Sequence, residues 1–284
     1  MRRSDLVLEW SLRACAALAA LIVAFIFYFL LCESGDAALG IGLARFVDDP
    51  SWHPAAEAET GTFNLLPMVA GTLLAAGGAV LLATPLGLLS ALFCRYFAPP
   101  TLAGPYRRLI ELLAGIPSVV YGLWGLVVLV PLIGAWQPPG ASLLAAMLIL
   151  TLMILPTVTL FADAALVAVP RANLHAGAAL GLSRFGLITG VLLPAARGGI
   201  ATGVLLAMGR AMGETMAVLM VAGNVVQVPA SIFEPVRTLT ANIALEMAYA
   251  LGDHRAALFF TGLVLLLLVT ALVTLAARIE RTHG

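Results

Sequence analysis

Apolar runs alternate with short polar connections along the chain, and six of the runs are long enough to cross a membrane. Their approximate bounds are 12–31, 65–93, 112–133, 142–161, 198–222 and 256–277. A helix needs about 20 predominantly apolar residues to span the hydrocarbon core of a bilayer. The first run is longer than the core of a signal peptide and is interpreted as an anchor. The pattern predicts an all-α integral membrane protein with six transmembrane helices. We divide it into an anchor helix with its outer loop at 1–64 and a five-helix core at 65–284.

Composition supports a membrane protein and excludes ATP binding through a P-loop lysine of this chain. The chain is 62% hydrophobic and 11% charged, with a mean hydropathy of +1.05. Acidic and basic residues balance, so no net field favours nucleic acid. All fifteen basic residues other than histidine are arginine, which leaves no lysine for a P-loop. If ATP and Mg²⁺ drive this protein, we expect another subunit to bind them, and we expect no cofactor in this chain.

Residues for catalysis or metal binding do not form a recognisable motif. The three cysteines make no CxxC pair, and the sequence has no HExxH motif. The four histidines fall in predicted loops or in the tail, away from a nucleophile that they could activate. We therefore expect a non-catalytic protein with no metal site, rather than an intramembrane protease or lipid-modifying enzyme.

The distribution of arginine predicts an orientation. Placing the N-terminus inside assigns eleven of the fifteen arginines to cytoplasmic ends and loops. Arg45, Arg237 and Arg255 are then outside, and Arg210 lies within a span. Short cytoplasmic loops of membrane proteins collect Lys and Arg. We expect both termini in the cytoplasm, with the spans in contact with membrane lipid.

A segment at about 170–194 is too polar to cross the membrane and is predicted to lie in the cytoplasm. Leu174, Ala178 and Leu182 recur at helical spacing, which favours short amphipathic helices with a turn near Gly181 and Ser183. Two interpretations remain open from periodicity. The segment is either an interfacial helix lying on the membrane or a docking surface for a cytoplasmic partner.

This segment resembles the EAA loop of ABC importer permeases. The matching positions are His175, Ala176, Gly177, Gly181 and Pro194, with both spacings of the motif kept. His175 replaces the motif glutamate and Gly177 its second alanine. The resemblance implies the type I ABC importer permease fold, with this loop forming a coupling helix that fits a groove on an ATPase subunit.

Two further stretches are similar to the PstC-type permeases of phosphate-specific ABC importers. They are 113–126, which reads LAGIPSVVYGLWGL, and 209–218, which reads GRAMGETMAV. The resemblance implies a bacterial inner-membrane permease that forms the phosphate path with a PstA-type permease, above a PstB-type ATPase dimer and beneath a periplasmic phosphate-binding protein. Close alternatives are a permease for another oxyanion, such as sulfate or molybdate, and the PstA-type partner itself.

Two opposite charges stand inside the fifth predicted span. Arg210 and Glu214 are four residues apart, so we expect them on one face of one helix. A lone charge at the bilayer centre costs at least ~2.5–3.5 kcal/mol and is usually functional. The pair is either an architectural ion pair or part of a substrate path. Thr215 and Asn224 either line the same path or hydrogen-bond to their own and neighbouring helices.

The two charged side chains suit selection of phosphate over sulfate. A guanidinium grips two oxygens of any tetrahedral oxyanion. A carboxylate beside it accepts a hydrogen bond from a protonated phosphate oxygen but repels sulfate, which has no such donor. We expect Glu214 to contribute this discrimination and Arg210 to bind the anion.

Overall fold

The structure, a computed structural model, describes residues 3–54 and 61–283. Part of the first predicted outer loop, 55–60, lies outside the described residues. The α-helices, in chain order, are α1 (Arg3–Asp36), α2 (Arg45–Asp48), α3 (Leu66–Leu92), α4 (Pro100–Gly115), α5 (Ser118–Trp124), α6 (Val130–Trp136), α7 (Leu143–Ala168), α8 (Arg171–Ala179), α9 (Arg184–Leu187), α10 (Leu193–Met212), α11 (Met216–Val221), α12 (Leu239–Glu246) and α13 (Gly252–His283). A two-stranded antiparallel hairpin, β1 (Trp52–His53) and β2 (Thr62–Phe63), follows α2. π-Helical turns occupy Ala37–Gly42, Phe93–Phe97, Gly125–Leu129 and Ile188–Leu192.

Six helical segments of the described residues are long and apolar enough to cross a membrane. They are Val7–Gly42, Leu66–Phe97, Ser118–Trp136, Leu143–Ala168, Arg184–Met212 and Gly252–Leu275. The prediction of six spans in an all-α chain is therefore confirmed.

Two of the predicted spans have wrong bounds, each for a local reason. The third span begins at Ser118, because Pro117 lacks an N–H and forces Ile116 into extended backbone. The residues before this break form α4, an amphipathic helix that was not predicted. The fifth helical run begins as early as Arg184 and ends at Met212, after which α11 starts anew. The predicted continuous helix over 198–222 is wrong.

Contacts divide the chain into two compact units, Met1–Leu65 with Leu245–Leu266, and Leu66–Ala244 with Leu267–Gly284. The predicted division at 64/65 stays a prediction. The first unit contains a buried polar cluster around one carboxylate oxygen. Glu246 Oε2 accepts a hydrogen bond from Trp52 Nε1 at 2.8 Å and lies 2.9 Å from His254 Nε2. All three side chains are buried, so this cluster ties the β1 strand to the start of α13.

The core of the second unit is organised around α7, which packs against α3 and α10. Small residues allow the close approach. A Cβ added at Gly87 of α3 would lie 2.8 Å from Val158 Cγ1, and one at Gly199 of α10 would lie 2.8 Å from Ala165 Cβ. Small residues at helix interfaces have this role in membrane bundles. The position of α7 matters because it carries residues that contact the candidate site.

Candidate functional site

Arg210 lies in the last turn of α10 and reaches α7. Its exposed guanidinium donates a hydrogen bond from Nη1 to Thr157 Oγ1 at 3.0 Å. No ion pair among the described residues includes Arg210. The expectation that Arg210 and Glu214 share one face of a continuous helix is wrong, because α10 ends between them at Met212. The guanidinium is therefore held by a neutral hydroxyl and keeps its charge available.

Glu214 lies in the break between α10 and α11. Its Oε1 accepts a hydrogen bond from the backbone N–H of Ala217 at 3.2 Å, so the carboxylate caps the start of α11. Its backbone carbonyl accepts a hydrogen bond from the buried Thr240 hydroxyl at 2.9 Å. Within the described part of the chain, Oε2 of the half-buried side chain has no hydrogen-bond partner. This oxygen can accept a hydrogen bond from a protonated oxygen of a ligand.

Thr215 and Asn224 have contacts that support the local backbone. The Thr215 hydroxyl donates to the carbonyl of Gly213 at 3.4 Å. Asn224 adopts a positive φ of 56°, and its Nδ2 donates to the carbonyl of Leu219 at 2.8 Å. Asn224 Oδ1 is buried and has no hydrogen-bond partner among the described residues. None of the contacts described brings Thr215 or Asn224 to the Arg210 guanidinium, and their role in a path stays a prediction.

The structure adds two polar residues that sequence reasoning missed. Thr157, directly after Pro156 in α7, is the partner of Arg210. Arg237, assigned to an outer loop, is only half-exposed, donating from Nε to the Asn224 carbonyl at 2.9 Å and from Nη1 to Asn242 Oδ1 at 3.1 Å. No local sequence motif marked Thr157 or Arg237 as different from other polar residues.

The polar segment after α7 forms the two predicted short helices. The turn between α8 and α9 is a Schellman motif, in which Leu182 N–H bonds to the Gly177 carbonyl at 3.2 Å and Gly181 N–H bonds to the Ala178 carbonyl at 3.0 Å. Gly181 has a φ of +74°, which favours glycine. The Ser183 hydroxyl then accepts the Gly186 N–H and caps α9. The predicted helix–turn–helix is confirmed.

The motif positions of this segment divide between its outer and inner faces. His175 and Ala176 are exposed, whereas Gly177 is buried against Leu187. Pro194 is exposed and follows the π-helical turn Ile188–Leu192, which accommodates a proline in a continuing helix. The exposed residues of α8 form a surface that can contact another protein. Their role in ATPase coupling stays a prediction.

The described residues contain no group of three or more His, Cys, Asp or Glu side chains that could hold a metal ion. The polar groups placed above are the Arg210 and Arg237 guanidinium groups, the Glu214 carboxylate, the Asn224 amide and threonine hydroxyls. A guanidinium can bind an oxyanion, and a carboxylate oxygen can accept a hydrogen bond from a protonated one.

Solved structures share this architecture. A chain of a bacterial alginate ABC transporter, crystallised with an alginate-bound periplasmic protein, matches with a TM-score of 0.66 and 16% identity, covering 98% of this chain and 96% of that one. A chain of the inward-facing MetNI methionine ABC transporter matches with a TM-score of 0.59 and 18% identity, covering 78% and 94%. The fold is that of a type I ABC importer permease, a multi-pass membrane protein.

The chain belongs to the family of binding-protein-dependent transport system inner membrane components, whose model matches residues 83–282. It is 33% identical to the phosphate transport system permease protein PstC of Mesorhizobium japonicum, over 96% of this chain and 89% of that protein. It is 30% identical to PstC of Pasteurella multocida, over 99% and 94%. It is 36% identical to the probable ABC transporter permease protein YqgH of Bacillus subtilis, over 81% and 75%.

Proposed function

We propose that this chain is a non-catalytic permease subunit of an ATP-driven importer for inorganic phosphate. The observation that carries the proposal is the Arg210 guanidinium near the end of an apolar helical run, without an ion pair to any described residue, in a chain whose named relatives include phosphate permeases. The positive-inside distribution of arginine supports an orientation with both termini in the cytoplasm.

Arg210 binds the phosphate in the path. A guanidinium carries five N–H donors, and Thr157 takes one of them. The remaining donors can form a two-pronged contact with two phosphate oxygens. The guanidinium is a cation, so the anion meets a positive group at this position.

Glu214 selects between oxyanions. Its Oε1 is engaged by α11 and Oε2 is the oxygen available to a ligand. A phosphate that retains a proton donates a hydrogen bond to Oε2, whereas sulfate presents only acceptors and is repelled. Discrimination against sulfate by Glu214 then adds to any discrimination by the periplasmic binding protein.

The remaining functions belong to partner subunits. A PstA-type permease completes the path as a heterodimer, and a periplasmic phosphate-binding protein delivers the anion. Two PstB-type ATPase subunits bind ATP and Mg²⁺, because this chain contains no lysine for a phosphate-binding loop. The exposed face of α8, with His175 and Ala176, docks on the ATPase and transmits its closure to the permease.

The test is ATP-dependent uptake of labelled phosphate by vesicles that contain the complete complex, with sulfate as competitor. We expect uptake that resists sulfate and is lost in Arg210→Gln. Arg197→Gln removes a guanidinium from the other end of α10 and serves as the matched control. Uptake is normalised to co-purified ATPase subunits, so failed assembly is recognised. Robust uptake by Arg210→Gln would make Arg210 architectural, and absence of uptake by the assembled wild type would reassign the substrate to another oxyanion.

A separate variant tests selection by the carboxylate. Glu214→Gln removes the charge and can still cap α11 through its amide oxygen. We expect sulfate to compete with phosphate uptake more strongly in this variant than in the wild type. Unchanged exclusion of sulfate would place selectivity outside Glu214.

A further inference from the structure

Two adjoining cavities open between the end of α3, the amphipathic helix α4, α7 and α8. The first has a volume of about 260 Å³ and is walled largely by apolar groups, including Ala91, Ala103, Gly104 and Ile110. The second has a volume of about 500 Å³ and lies against the start of α8. Arg95 and Cys94 line both cavities, so the two adjoin at the π-helical turn that ends α3.

The charges at the two cavities differ. At the first, Asp163 Oδ1 lies 3.3 Å from Arg95 Nη1 and Oδ2 lies 3.2 Å from Arg107 Nη2. The second is lined by Arg95 and Arg171, and the described residues that line it include no carboxylate. Arg171 is exposed and forms no ion pair with any described residue. The second cavity is therefore cationic, and the first is mainly apolar.

We propose that the adjoining cavities bind one anionic phospholipid, with its headgroup phosphate between Arg95 and Arg171 and part of an acyl chain in the apolar cavity. An apolar chamber next to a cationic one fits an amphipathic anion, because each half of the ligand meets matching chemistry. A free phosphate ion leaves the apolar chamber unused. Under the proposed orientation the site faces the cytoplasmic leaflet, where anionic lipids concentrate and basic pockets between helices bind their headgroups. The inference rests on that orientation.

The proposed headgroup site lies between two parts of the fold. Arg171 is the first residue of α8, and Arg95 lies in the turn that ends α3. A phosphate diester between them forms charge-assisted hydrogen bonds with both. The bound lipid therefore anchors the docking helix α8 to the end of α3.

The test uses the assembled complex, purified in an uncharged detergent and titrated with phosphatidylglycerol or phosphatidylcholine. Bound lipid is counted by native mass spectrometry. We expect preferential retention of phosphatidylglycerol. Arg95→Gln and Arg171→Gln should each weaken it about fivefold, the effect of one basic residue near an anionic membrane surface. Arg108→Gln, an exposed arginine on α4 that lines neither cavity, is the matched control and should retain wild-type binding.

A steric variant tests the acyl chamber independently. Gly104 lines the apolar chamber and a Cβ built on it meets nothing within 4 Å, so Gly104→Leu adds bulk at the chamber wall without a clash at the backbone. We expect it to weaken retention of long-chain phosphatidylglycerol while leaving short-chain phosphatidylglycerol unaffected. Equal loss of both chain lengths would remove the apolar chamber from the site.

Other results would overturn the proposal. Equal retention of the two headgroups, or unchanged binding by Arg171→Gln, would show that no anionic headgroup site exists here. Displacement of phosphatidylglycerol by inorganic phosphate at equal concentration would assign a free phosphate site instead. Lipid retention is measured without transport, so lost phosphate uptake with intact lipid selectivity would overturn the proposed substrate and leave the lipid site standing.

Discussion

The hydrogen bond from Arg210 to Thr157 gives a direct test of how the Arg210 guanidinium is held. Thr157→Val removes the hydroxyl and keeps the branched shape of the side chain, whereas Thr157→Ser keeps the hydroxyl. The bond is 3.0 Å long and its acceptor oxygen belongs to a different helix from its donor. Hydrogen bonds to charged groups contribute about 1.5–3 kcal/mol, and exposure of this pair argues for the lower value. A loss of about 1.5 kcal/mol corresponds to about a tenfold change in an equilibrium constant.

The assay is the concentration dependence of phosphate uptake by the reconstituted complex. We expect the half-saturating phosphate concentration to rise by up to about tenfold in Thr157→Val, because without the hydroxyl the guanidinium spends more of its time in orientations that do not face the anion. Thr157→Ser should remain close to the wild type. Thr159→Val is the matched control on the same helix, because the Thr159 hydroxyl donates only to the Leu155 carbonyl, at 2.8 Å.

Two results would refute this reasoning. Wild-type uptake by Thr157→Val would show that Arg210 holds its position without the hydroxyl. An equal defect in Thr157→Val and Thr159→Val would show that loss of any hydroxyl from α7 perturbs the helix, and Thr157 would have no particular role.

Three further substitutions, two of them with a control variant, test the stability of the fold. Gly71→Ala puts a Cβ 2.7 Å from a backbone oxygen of the segment before α12, and overpacking of this kind costs about 1–3 kcal/mol. Gly77→Ala on the same helix meets nothing within 4 Å, so it should be neutral or stabilising by up to about 1 kcal/mol; equal melting temperatures of the two purified complexes would contradict this. Gly181→Ala puts a side chain at a φ of +74° and should destabilise the turn by about 1–2 kcal/mol. We expect this variant to lower the ATPase activity of the complex, and Gly181→Asn to retain more of that activity. Trp52→Phe removes the donor to the buried Glu246 oxygen and should lower stability by about 1–3 kcal/mol; an unchanged melting temperature would show that this bond contributes nothing.

Hydropathy alone was enough to predict six spans, because burial in lipid requires long apolar helices regardless of how they pack. It could not predict where the third helix begins. The apolar run continues through Ile116 and Pro117, and only the missing N–H of the proline marks the break between α4 and α5. Local backbone chemistry overrides composition at this position.

The sequence pointed to Arg210 and Glu214 as candidate residues, but the helix break between them was not predicted. The break around Glu214 is held by the Thr240 hydroxyl, which lies 26 residues further along the chain. No local pattern announces such a contact. Thr157 was also unremarkable in sequence, since threonines in the same helix, such as Thr151 and Thr159, bond to carbonyls four residues earlier. Only the packing of α10 on α7 distinguishes Thr157 from them.

The continuity of α7 has a mechanical consequence. The helix carries the partner of Arg210 near its middle, and only Val169 and Pro170 separate its end from α8. Pro156 leaves one carbonyl of α7 without its helical hydrogen bond, and helices bend most readily at such points. In the proposed importer, a force applied to α8 is transmitted to α7, which bends most readily at Pro156, next to Thr157. We expect movement of α8 to turn the part of α7 that holds Arg210, and so to change the direction in which the guanidinium faces.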